Sequence, residues 1–149
     1  CWIDLEPFIV ETVVGAGDAP SRLEVGSVPR GRLMGDSDRL AQVLRNLVQN
    51  ALAHTGTGGL VRVSASGRGD RVRIAVDDDG PGIPADDREL IFDRFHRTDF
   101  SRTRREGGSG LGLAIARAIV VAHRGLIWAE ASPEGGARIA FELPGFEAR

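Results

Sequence analysis

The chain has 149 residues, 42% hydrophobic and 27% charged, which describes a single globular domain with one core and excludes a disordered tail or a fibre. Its nineteen basic and twenty-one acidic residues leave a net charge of −2, so no basic field is present to hold a nucleic acid or an anionic membrane surface, and no nucleic-acid partner is expected. All nineteen basic residues are Arg, which removes the Walker-type phosphate loop, the strand Lys of Gly-rich-loop protein kinases and Schiff-base chemistry.

The lone cysteine, Cys1, excludes an internal disulfide and a cysteine-rich zinc site. No run approaches the ~20 apolar residues of a membrane span, and no basic start precedes an apolar run, so the piece is not expected to be membrane-inserted. It opens on Cys1-Trp2 without an initiator Met, as a fragment or processed product would.

In chain order, Phe8 to Val14 reads as an amphipathic turn or short helix. A loop over Gly15 to Pro20 follows, then a short strand pair around Leu23 to Val25 and Arg32 to Met34. From Asp36 the apolar positions Leu40, Val43, Leu44, Leu47, Val48 and Ala51 recur at the spacing of a core-facing helix, with Asp36 or Ser37 as N-cap. Val61, Val63, Ala65 and then Val72, Ile74, Val76 alternate on either side of Gly67-Arg68-Gly69-Asp70, which predicts a β-hairpin.

A short helical stretch is expected from Ala85 to Phe92, and the Arg-rich, Gly-ended segment from His96 to Ser109 reads as a mobile loop. A second helix opens at the Gly cluster, with Leu111, Ile115, Ala118, Ile119 and Ala122 as its apolar stripe and Gly125 as its stop. A last hairpin runs from Leu126 to Ala131 and returns through Ile139, Phe141 and Leu143. Helices alternating with antiparallel hairpins imply an α+β, two-layer α/β sandwich: a mixed, mainly antiparallel sheet covered on one face by about three helices.

Three features carry chemistry. Gln42, Asn46 and Asn50 stand four apart and form a polar stripe beside the apolar one; an amide oxygen is a suitable hard ligand for Mg²⁺, and two solvated Asn are the bland alternative. Asp77-Asp78-Asp79 ends a strand and precedes Gly80-Pro81-Gly82, where a carboxylate can accept from an exocyclic amine and the glycines leave room for a ring. An acidic turn is the competing reading, and the spacing of a calcium-binding EF-hand is absent. Gly107-Gly108-Ser109-Gly110-Leu111-Gly112-Leu113 opens a helix whose free N–H groups suit phosphate; the spacing is not that of a dinucleotide fold.

Taken together and in order, RLAQVLRNLVQNALAHT, DDDGPGI, IFDRFHR and GGSGLGLAIAR resemble the ATP-binding boxes of the catalytic domain of a bacterial sensor histidine kinase, within the GHKL ATPase superfamily. The resemblance covers roughly residues 36 to 145 and implies a Bergerat-type ATP-binding fold, with 1–149 as one catalytic domain. It implies Mg²⁺ ligation by Asn50, with Asn46 by the phosphates and the metal's waters, and Gln42 and Asn46 as the candidate catalytic pair. It assigns the adenine amino group to Asp78, with Gly80, Gly82 and Ile83 shaping that pocket. The resemblance further implies that Phe92 and Phe95 anchor the base of a lid and that Arg97, with Arg102 or Arg105, reaches phosphate oxygens. It implies that Gly108, Gly110 and Gly112 let the lid close and the following helix present its N–H groups, with Ser109, Leu111 and Leu113 also among the ATP-binding residues.

The chain departs from the family pattern in places. Ala53 stands where many relatives place a cation, and His54 where they often carry an aromatic ring, which favours ring packing over base chemistry. Gly135-Gly136-Ala137-Arg138 replaces the usual Gly-x-Gly-Ser/Thr, which leaves a contact from this turn unassigned. His123-Arg124-Gly125 replaces a common His-Gly-Gly.

The implied function is binding of Mg-ATP and donation of the γ-phosphoryl group to a histidine on a separate dimerisation domain, with a response regulator downstream. His54, His96 and His123 lack the context of a phosphoacceptor helix, so the piece alone is not expected to autophosphorylate. It is expected to be monomeric and to be the cytoplasmic domain of a membrane-anchored kinase. Gln42 occupies the place of the water-polarising Glu of gyrase-type relatives and cannot accept a proton near neutral pH, which disfavours hydrolysis as the main task. The alternatives are a serine kinase of the anti-sigma-factor type and a nucleotide-sensing module without kinase activity.

Overall fold

The computed structural model describes residues 1–16, 22–56, 58–93 and 111–149. Eight strands are present among them: β1 (Trp2–Asp4), β2 (Leu23–Val25), β3 (Gly31–Met34), β4 (Val61–Arg68), β5 (Arg71–Asp78), β6 (Leu126–Ala131), β7 (Ala137–Pro144) and β8 (Phe146–Ala148). Three α-helices accompany them: α1 (Leu5–Ala16), α2 (Ser37–Thr55) and α3 (Gly112–Ala122). A five-stranded sheet has the order β2-β4-β5-β7-β6, antiparallel except for the β2–β4 pair, and a small sheet joins β1, β3 and β8. The helices cover one face of the larger sheet, which is the expected two-layer α+β sandwich.

Helix α2 is the middle of the helical layer and forms as its sequence dictates. Asp36 caps it, with Oδ1 accepting from the N–H groups of Asp38 at 3.1 Å and Arg39 at 3.2 Å. Leu40, Val43, Leu44, Leu47, Val48 and Ala51 are all buried against β4, β5 and the flanking helices, each large side chain contributing about 1.5–3 kcal/mol by burial. The hairpin β4–β5 closes through Gly69-Asp70, and Gly69 has φ +62°, which a two-residue loop with Gly first requires.

The first helix is longer than Phe8 to Val14: it buries Leu5, Ile9, Val13 and Ala16, so the fourfold spacing runs from Leu5 onwards. The two short strands exist but do not pair with each other. β2 lies parallel to β4 at the edge of the large sheet, while β3 pairs with β1 and β8 in the small one. Ala85 to Phe92 is two single 3₁₀ turns, Ala85–Asp87 and Leu90–Phe92, rather than one helical stretch.

Helix α3 turns inward a face that shares Ile119 with the expected stripe but not Ile115, Ala118 or Ala122. Ala116, Ile119 and Val120 are buried, while Ile115 and Val121 are 36% and 58% exposed and Ala118 and Ala122 face outward. It ends in a Schellman motif: Gly125 N–H donates to Val120 O and Arg124 N–H to Val121 O, both at 2.9 Å. The left-handed residue is Arg124, with φ +64°, and not Gly125. His123 fastens this end to the start of α2. Its Nδ1, 2.9 Å from Ile119 O, must carry the proton, and Nε2 accepts from the Asp36 N–H at 3.2 Å.

Candidate functional site

Period-two alternation along β5 sends Val72, Ile74, Val76 and Asp78 toward the helices and Asp77 to the opposite face. Asp78 is 3% exposed. Its Oδ1 accepts from the N–H groups of Gly80 at 3.0 Å and Ala137 at 3.1 Å, and its Oδ2 takes no hydrogen bond from the described residues. A buried carboxylate oxygen without a donor is costly; here it is an acceptor held ready for a donor that the fold itself does not supply.

The walls around it are backbone. Gly80 sits against the last turn of α2, where a Cβ would lie 3.0 Å from Thr55 Cα and 3.1 Å from His54 O. Gly82 takes φ +82°, and Ile83 is buried, with Arg88 Nε donating to its carbonyl at 3.1 Å. On the hairpin side a Cβ on Gly136 would fall 2.2 Å from Asp78 Oδ1 and 2.4 Å from Asp78 O.

The other end is built on α2. Asn46 Nδ2 donates to Gly112 O at 3.0 Å, which ties the helix to the first turn of α3, and Asn50 Nδ2 lies 3.4 Å from His54 Nδ1. The amide donors of both Asn are thus engaged, while their Oδ1 atoms take no hydrogen bond from the described residues. Among those residues no group of three His, Cys, Asp or Glu could hold a metal. An amide oxygen is a hard donor of the kind that suits Mg²⁺. His54 is buried, as a packing role for its ring requires, and Gln42 is half-buried one turn before Asn46. Leu111 and Leu113 are half-buried at the start of α3. Phe92 is buried in the core. Phe95, Arg97, Arg102, Arg105, Gly108, Ser109 and Gly110 lie outside the described residues.

Sequence reasoning missed several residues that build this site. Asp79 Oδ1 accepts from Thr55 Oγ1 at 2.5 Å and from the Leu60 N–H at 3.0 Å, joining the end of α2 to the turn after β5. The Thr55 hydroxyl, and then the Leu60 N–H, hold its carboxyl below the usual range. Arg22 caps α2 from outside, donating to the carbonyls of Leu52 at 3.1 Å, Gly56, and Gly59 at 3.0 Å. Gly136 and Ala137 complete the Asp78 pocket, and their signal was the Gly pair in the last turn. The arrangement offers a buried acceptor, a neighbouring face of amide oxygens and a helix N-terminus, all along one side of α2.

Residues 35–146 match the family described as histidine kinase-, DNA gyrase B-, and HSP90-like ATPases. The chain belongs to this family. Within it, the chain is 48% identical over 112 residues to the signal transduction histidine-protein kinase BaeS of Escherichia coli, covering 75% of the chain and 24% of BaeS. The mycobacterial sensor histidine kinase MprB superposes with a TM-score of 0.82 at 30% identity, with 97% of each chain covered. Full-length ShkA, solved in complex with AMPPNP, also superposes with a TM-score of 0.82 at 32% identity, covering all of this chain and 32% of ShkA. Histidine-kinase structures thus share the fold of this chain, which spans between 18% and 36% of the length of curated kinase relatives.

Proposed function

We propose that the domain binds Mg-ATP and delivers its γ-phosphoryl group to a histidine on a separate dimerisation and phosphoacceptor domain, from which it passes to a response regulator. The buried Asp78 carboxylate carries this reading, because one oxygen accepts from two backbone N–H groups and the other takes no hydrogen bond from the described residues. The 6-amino group of adenine supplies that donor, and Gly80, Gly82 and Ile83 give the ring a close-fitting wall.

Asn50 would offer an amide oxygen to the metal and Asn46 would hold the neighbouring phosphates and waters; Gln42, which cannot take up a proton, would orient polar groups beside them. Bound Mg²⁺ would neutralise charge on the β- and γ-phosphates. The N–H groups at the start of α3 face phosphate oxygens, with Arg97, Arg102 and Arg105 as further phosphate contacts. In the transfer the bond from the γ-phosphorus to the β–γ bridging oxygen breaks, one to an imidazole nitrogen of the acceptor forms, and ADP leaves. Positioning and electrostatics do this work. A cytoplasmic location beneath a membrane anchor is proposed from the resemblance to sensor kinases.

Calorimetric titration with a non-hydrolysable ATP analogue, with and without Mg²⁺, tests the reading. Saturable, Mg²⁺-dependent binding is expected. Asp78→Ala should abolish it while the far-ultraviolet dichroism stays unchanged, and Asn50→Ala should weaken binding more with Mg²⁺ than without. Unchanged affinity in Asp78→Ala would remove the adenine assignment. Incubation with ATP should leave no phosphohistidine on the isolated chain.

A further inference from the structure

Asp77 and Asp78 are neighbours on β5 and leave the sheet on opposite faces, yet both are buried, at 2% and 3% exposure. Where Asp78 has one oxygen without a donor among the described residues, Asp77 has both oxygens engaged. Its Oδ1 accepts from Arg138 Nε and from Ser132 Oγ, both at 2.8 Å, and its Oδ2 accepts from Arg138 Nη2 at 3.1 Å. This two-point contact offsets the cost of burying the carboxylate, and the Asp77 hydrogen bond holds the Arg138 guanidinium firmly protonated.

Ser132 passes the contact on to the turn between β6 and β7. Its Oγ accepts from the Glu134 N–H at 2.9 Å, its N–H donates to Gly136 O at 2.9 Å, and its carbonyl accepts from the Gly135 N–H at 3.1 Å. The same turn presents Gly136 and the Ala137 N–H to Asp78 on the other face. A carboxylate rotates freely about its terminal torsion unless its oxygens are held. The Ala137 N–H is one of the two donors that hold Oδ1, and no side chain of the turn takes part.

We propose that Asp77, Arg138 and Ser132 are positioning residues: through the β6–β7 turn they orient the Asp78 carboxylate and set a preference for a 6-amino over a 6-oxo purine nucleotide, which rests on the base-acceptor reading of Asp78 given above. A 6-oxo purine presents an acceptor to an acceptor, whereas ring packing and phosphate contacts are common to both bases. Loosening the turn therefore acts on the ratio of the two affinities. Mere loss of folded protein lowers both affinities by the same factor.

The test compares a non-hydrolysable ATP analogue with its inosine counterpart, both with Mg²⁺, by calorimetry on the 149-residue chain and on Ser132→Ala, Asp77→Asn and Val72→Ala. Val72 is fully buried at the opposite end of β5, so its truncation lowers stability without touching the turn. The parent should favour the adenine form. The preference should fall about fivefold in Ser132→Ala, the order of one hydrogen bond, fall further in Asp77→Asn, and stay unchanged in Val72→Ala. If Asp77→Asn does not fold, Ser132→Ala decides. An equal loss for both nucleotides in Ser132→Ala, or no loss, overturns the proposal and leaves the base-acceptor reading standing. A parent chain that binds both nucleotides equally overturns both.

Discussion

The two ends of the site are built in different ways. At the base end Asp78 is enclosed by backbone: two N–H groups on one oxygen, Gly80 pressed on the end of α2 and Gly136 within van der Waals reach. At the proposed phosphate end the side chains of Asn46 and Asn50 each make one contact among the described residues, to Gly112 O and His54 Nδ1, and their oxygens take no hydrogen bond from those residues. On the proposed reading, the base end is shaped before a ligand arrives, whereas the described residues leave amide oxygens at the phosphate end for a ligand to meet. This division would suit the proposed phosphotransfer, in which a fixed wall selects the nucleotide before ADP leaves.

The strongest way to break the contrast is Gly136→Ala. The added Cβ meets backbone and a buried carboxylate at 2.2–2.6 Å, so the hairpin must move, at a cost of about 3 kcal/mol. Adenine-nucleotide binding should vanish even where the variant is still folded. Denaturant titration and calorimetry read both effects, and a variant with parental stability and affinity would show that the base end is not rigid.

Asn46→Ala probes the other end. Loss of the bond to Gly112 O removes about 1 kcal/mol of stability, and Mg²⁺-dependent nucleotide affinity should fall about tenfold, as when a partner behind a metal's direct ligands is lost. The base preference should remain. A changed adenine-to-inosine ratio in this variant would merge the two ends into one unit.

How much of this could be read from the chain follows from the range of the interactions. Helix α2 was legible because its stripe and its Asp36 cap are local. In α3 the one charged residue between Gly112 and Ala122 is Arg117, so apolar side chains surround the axis and period alone cannot select which of them faces the sheet. The short strands β2 and β3 were visible, but pairing is a long-range choice, and they joined different sheets. Asp78 was found by its box, whereas Ala137 and Gly136, which hold it, lie some sixty residues away and meet it only through the β5–β7 register.

A control outside both ends is Arg124→Gly. Arg124 occupies the left-handed position of the α3 cap, at φ +64°, where a side chain costs about 1 kcal/mol and glycine does not. Part of that gain is offset by the freer unfolded chain. A net stabilisation of about 0.5 kcal/mol, or a rise of about 2 °C in Tm, is expected with unchanged nucleotide affinity. A fall in Tm would mean that the Arg124 side chain makes a contact worth more than the backbone cost.

The smallest expected effect lies where the two ends meet. Asp79 ties Thr55, one residue beyond His54, to the turn that carries Gly80, so its carboxylate holds the end of α2 against the base pocket. Its carboxyl is held below the usual range, first by the Thr55 hydroxyl and then by the Leu60 N–H. The ionised form therefore favours the folded state: its contribution is present above the unfolded pKa and is lost as pH falls through the folded one. Glu142, lowered first by its hydrogen bond with Arg71 and next by Arg73, acts in the same direction at the far end of the sheet. The parent should lose stability on acidification below about pH 4, and Asp79→Asn should flatten part of that loss while costing little at pH 7, because Asp79 is exposed and an amide oxygen still accepts from Thr55. Melting curves from pH 3 to 7 decide it. An identical acid slope in parent and variant would assign the loss to Glu142 and leave the joint between the two ends to Arg22 and the close packing of Gly80 against Thr55.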